Sequence, residues 1–132
     1  MYHPKMNQFD RTFRAMFDEV TRHIEDLYGE RYPLHPVRPP RGTTSSPQSD
    51  GLFNIGADFT AGYGSRYGRG YVIDVHMATL ENVPEEERSE IIEQVVRKLE
   101  ELLPQYFPQR NLEVFCEGSH FKICGDFSLG SA

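Results

Sequence analysis

Apolar side chains recur at three- and four-residue intervals from Asn82 to Pro104. Ile91, Ile92, Val95, Val96, Leu99, Leu102 and Leu103 fall on one side of a 3.6-residue period; Glu90, Glu93, Gln94, Arg97, Lys98, Glu100 and Glu101 fall on the other. That spacing predicts a helix over 82–104. Pro84 suits its first turn, Glu85, Glu86 and Glu87 suit the positive end of its dipole, and Pro104 is expected to stop it. A second stripe, Phe9, Phe13, Met16, Phe17, Val20, Ile24, Leu27 and Tyr28, predicts a helix over 7–28 with Asn7 as N-cap and Gly29 just past its end.

Elsewhere the period is two. Phe53, Ile55, Ala57, Phe59 and Ala61 alternate with Asn54, Gly56, Asp58 and Thr60, which predicts a strand over 52–61. Tyr71, Ile73, Val75 and Met77 alternate with Asp74, His76 and Ala78 over 71–79, and the two strands are expected to form an antiparallel hairpin. In the last unit Glu117-Gly118-Ser119-His120 reads as a two-residue turn with glycine first, as a type II′ turn requires. This turn fixes a register. Leu112, Val114 and Cys116 oppose Gly125, Ile123 and Phe121 on the apolar face; Glu113, Phe115 and Glu117 oppose Cys124, Lys122 and His120 on the other. The order α-β-β-α-β-β argues for a single α+β domain, 1–132, with a four-stranded, mainly antiparallel sheet and both helices on one face.

Five of the nine prolines fall between the first helix and the first strand, in a segment that also holds Gly42-Thr43-Thr44-Ser45-Ser46. Residues 29–51 therefore read as a linker: an extended polyproline-like strip and a mobile loop. Pro36-Val37-Arg38-Pro39-Pro40-Arg41 has the Pro-x-x-Pro-x-Arg spacing that Src-homology-3 domains recognise, although a stiff linker is the simpler reading. The remaining 52–127 forms the ββαββ core.

Charge changes the picture by exclusion. Residues 1–50 carry seven basic and seven acidic side chains, residues 51–132 seven basic and thirteen acidic, so the net charge of −6 comes from the second half. An acidic chain without a basic face is a poor nonspecific nucleic-acid binder and a poor ligand for anionic lipid. No apolar run reaches the ~20 residues that span a bilayer. Two cysteines without a pairing pattern suggest reduced thiols, and the expectation is a soluble, cytoplasmic protein.

The least ordinary stretch is Gly62-Tyr63-Gly64-Ser65-Arg66-Tyr67-Gly68-Arg69-Gly70. Its glycines let backbone N–H groups turn toward an anion, Arg66 and Arg69 suit a phosphate or carboxylate, and Tyr63 and Tyr67 suit stacking. A strand follows it, so it is no dinucleotide fingerprint. A long hairpin loop needing positive φ is the plainer explanation. On the polar sheet face, Asp74 and His76 stand two apart, with Asp58, Glu113, Glu117 and His120 expected beside them. Carboxylates and imidazoles so placed suit a metal or acid–base chemistry, but a polar outer face is ordinary for an antiparallel sheet. Cys116 is expected in the core and Cys124 at the surface. His3, His23 and His35 have no zinc spacing, and no metal or cofactor is expected.

The sequence thus favours a small binding or assembly module, non-catalytic and homodimeric, in which the Phe9, Phe13, Phe17 stripe meets a second subunit. Ligand contacts are expected at Tyr63, Ser65, Arg66, Tyr67, Arg69, Asp74, His76 and His120, with a small anion or an acidic protein as partner. The alternative is a small enzyme or ligand-binding domain using Asp74, His76 and His120.

Overall fold

The computed structural model describes residues 4–64 and 66–125, and of residues 4–7 the backbone alone. The elements run in the order α1 (Pro4–Tyr28), β1 (Phe53–Thr60), β2 (Gly70–Met77), α2 (Glu85–Tyr106), β3 (Leu112–Glu117) and β4 (His120–Gly125). The strands form one antiparallel sheet in the order β1-β2-β4-β3, so the two hairpins join through β2 and β4. Both helices pack on one face of it. This is the α+β arrangement that the two periodicities require.

The register of the second hairpin is the one its turn dictates, from Leu112 opposite Gly125 to Glu117 opposite His120. Gly118 has φ 65°, and among the described residues only glycines adopt positive φ, which is the pattern of a type II′ turn. The core is continuous from α1 through the sheet to α2: Met16, Val20, Ile24, Phe53, Ile55, Ile91, Val95, Leu99, Leu102 and Ile123 are all buried. Phe9 and Phe13 are buried among Tyr71 and Phe107, with ring centroids 4.6–6.3 Å apart. The phenylalanine stripe of α1 is therefore covered by its own chain, and it needs no second subunit to leave water.

Several details differ from the sequence expectation. Pro104 lies inside α2, which runs on to Tyr106 and ends with Phe107 N–H on the Leu103 carbonyl. Its missing N–H costs one bond to Glu100, whose exposed position lets water replace it. Phe59 shares the apolar face yet is 60% exposed, because it stands at the far end of an edge strand and meets only the edge of Tyr71. The cysteines exchange roles: Cys116 is exposed near the turn, and Cys124 is buried.

The larger correction concerns 29–51, which packs as a built loop instead of trailing as a linker. Arg38 donates from Nε and Nη2 to the carbonyls of Gly51, Gln48 and Asp50. Arg41 donates to Asp50 Oδ1 at 2.8 Å, to Glu25 Oε1 at 2.9 Å and to the carbonyls of Pro47 and Phe53. Glu25 in turn accepts the N–H groups of Leu52 and Phe53, which fixes the start of β1 against α1. Asp50 is 1% exposed and also accepts two bonds from Thr44. Sequence patterns show prolines but not the carbonyls that two arginines will gather. Both arginines of the Pro-x-x-Pro-x-Arg segment are committed to these bonds, so the segment does not present them to a polyproline-recognising partner.

Candidate site: a glycine-rich loop folded over the open sheet face

The face of the sheet turned away from the helices carries Asp58, Val72, Asp74, His76, Glu113, Phe115, Glu117, His120, Lys122 and Cys124, as the strand register sets them. The loop between β1 and β2 does not project from this face. It folds back onto the β3–β4 half. The Tyr67 ring stacks on Phe115, with centroids 4.5 Å apart and planes 18° apart. Tyr67 N–H donates to Glu117 Oε2 at 3.2 Å. Lys122 Nζ donates to the Gly68 carbonyl at 2.6 Å and pairs with Glu117 Oε1 at 3.0 Å. Lys122 is 1% exposed as a result.

Glycine makes this path feasible. Gly62 has φ 79°, and a Cβ there would sit 2.2 Å from the Gly68 carbonyl carbon, so the legs of the loop touch backbone to backbone. The lysine charge is met by Glu117, and that same carboxylate accepts the Tyr67 N–H of the loop. The loop thus encloses an internal anion on its sheet side. Its outer side is different. Arg66 and Arg69 are exposed, and neither meets a carboxylate among the described residues; Arg66 lies 5.7 Å over the Tyr67 ring. Tyr63 is 96% exposed.

Of the expected contact residues, Tyr63, Arg66, Tyr67 and Arg69 share this loop. Ser65 lies outside the described residues. Asp74, His76 and His120 are exposed, and no hydrogen bond or ion pair joins any two of them. The β2–β4 pairing covers only Tyr71 and Val72 on β2, which leaves Asp74 and His76 beyond it. His76 instead lines a shallow cleft of about 330 Å³ with His35, Val37, Arg38, Met77, Ala78 and Thr79. There His35 N–H donates to the Ala78 carbonyl and its Nδ1 accepts from Val37 N–H. Among the described residues, no group of three or more His, Cys, Asp or Glu is arranged to hold a metal ion.

Sequence reasoning missed Lys122, Phe115 and Glu117 as the seat of the loop. The turn register did place Phe115 opposite Lys122, and that pair was the available signal. Burial pushes the neighbouring Cys124 thiol up, against the opposing pull of Lys122.

Fold and site together define an α+β protein with helices over one sheet face and a packed glycine-rich loop over part of the other. The chain belongs to a family described as "Uncharacterised protein", which matches residues 4–125. It is 37% identical over 123 residues to an uncharacterized protein of Borreliella burgdorferi, covering 93% of this chain and 96% of that relative. No solved structure matches the chain. No helix among the described residues is long and apolar enough to cross a membrane.

Proposed function

We propose that this protein is a small, non-catalytic, homodimeric binding module whose glycine-rich loop takes an anionic ligand or an acidic segment of a partner protein. One observation carries the reading: the loop is held down on its sheet side by Tyr67, Gly68 and Lys122, while Arg66 and Arg69 are exposed with no acidic partner among the described residues. A loop fixed in this way loses little conformational entropy when it binds. Each charge-assisted bond that excludes water contributes about 1.5–3 kcal/mol, and an exposed pair about 0–1 kcal/mol. Tyr63 adds a face on which a ring or a peptide plane can stack.

Titration calorimetry tests it with inorganic pyrophosphate and a hexaglutamate peptide as probes. Wild type binds at least one of them. The double variant Arg66→Ala/Arg69→Ala binds neither, and its urea midpoint equals that of wild type. Equal binding by the two proteins overturns the assignment.

A further inference from the structure

The sheet ends in β1 on one side and β3 on the other, and the two edges are finished differently. Along an antiparallel strand, alternate residues turn their N–H and C=O outward. On β1 the outward set is Phe53, Ile55, Ala57 and Phe59, since Leu52 bonds inward to Ala78 N–H. The start of that edge is capped by side chains: Phe53 N–H by Glu25, the Phe53 carbonyl by Arg41, and the Ile55 carbonyl by Gln48. On β3 the turn closes on Glu117 and His120, so Glu113, Phe115 and Glu117 bond to β4. Leu112, Val114 and Cys116 therefore face out, and among the described residues their outward backbone groups meet no partner. An edge of this kind is a template for another strand.

We propose that β3 pairs with β3 of a second copy across a twofold axis, joining the two sheets into one. Charge selects the register. The symmetric antiparallel pairing centred on Val114 overlaps β3 from Leu112 to Cys116. It sets Glu113 against the partner's Phe115 and Glu117 against the partner's Asn111. Centring on Glu113 places that carboxylate against its own copy, and centring on Phe115 sets Glu113 against the partner's Glu117 twice. The β1 edge is less open to such pairing, because side chains already hold the Phe53 N–H, the Phe53 carbonyl and the Ile55 carbonyl. The helix beside β3 supports the same surface. Glu87 and Glu90 reach Arg31 and Tyr28 on the α1 side of α2, the opposite flank carries the half-buried Ile92 and Val96, and Val114 on β3 is half-buried too. A second copy on this edge covers that strip.

This deepens the homodimeric part of the proposed function and is independent of the loop. Sedimentation velocity on the full chain tests it with Cys116→Pro and Ala57→Pro. Each proline removes an outward N–H and no bond of the protomer's own sheet. Wild type is expected at twice 15.2 kDa, Ala57→Pro likewise, and Cys116→Pro at 15.2 kDa with an unchanged circular dichroism spectrum. A monomeric wild type at high micromolar concentration overturns both the homodimer and the edge. A Cys116→Pro dimer overturns the edge alone. Hydrogen exchange on wild type needs no variant: the Val114 and Cys116 amides exchange as slowly as those of Glu113 and Phe115, and fast exchange at the first pair overturns the proposal.

Discussion

The ammonium of Lys122 lies 2.6 Å from the Gly68 carbonyl oxygen, and this bond fastens the glycine-rich loop to the sheet. A lysine so deeply buried is tolerated because a carbonyl and the Glu117 carboxylate replace its water. The same contacts leave the loop's arginines on the solvent side. Packing energy on one face of the loop is thereby converted into a fixed, positively charged surface on the other.

Lys122→Met keeps the stem and removes the charge. Glu117, 20% exposed, then loses its ammonium partner. The expected cost is about 1–3 kcal/mol in urea denaturation. Amides of residues 66–69 should exchange faster. An unchanged midpoint with an unchanged loop would show that the bond is incidental.

Asp50 predicts an acid-sensitive anchor. Burial raises its carboxyl, but the bonds from Thr44 and the Arg41 charge outweigh burial and hold it below the usual carboxylate range. A depressed folded value stabilises the native state fully above the unfolded value of about 3.9, and the contribution is lost as pH falls through the folded value. Asp50→Asn should therefore be less stable than wild type at neutral pH, with the gap narrowing below about pH 4. A gap that widens with acid would contradict the network.

The cysteines give a quick check on the register of β3 and β4. Cys116 is exposed and Cys124 buried, with its thiol pushed up mainly by that burial. One thiol should react rapidly with Ellman's reagent in the native protein and the second only on unfolding. Cys116→Ser should abolish the rapid phase. Two rapid thiols would place Cys124 at the surface.

Much of this fold was legible as periodicity. Ile91, Val95, Leu99 and Leu102 mark one helical face, Phe53 and Ile55 mark a strand face, and Gly118 fixes the pairing of Val114 with Ile123. Those signals are local. Phe59 escaped because alternation shows which face a side chain takes, not whether anything covers it. Arg38 and Arg41 escaped because their partners are carbonyls, which every residue carries and no sequence pattern marks. For the site, the composition of the loop was visible and its path was not. A mobile tip and a packed cover have the same glycines, and only Lys122 and Phe115, more than forty residues away, distinguish them.

The central claim is that the loop is an ordered platform whose solvent side binds anions. An amide-resolved NMR titration of wild type with the hexaglutamate peptide tests it most directly. The account predicts that the Tyr67 amide, bonded to Glu117, exchanges slowly before addition and that the largest shifts fall on Tyr63, Arg66 and Arg69. Shifts confined to the His35–His76 cleft, or none from any anion tried with the loop exchanging at the random-coil rate, would contradict it.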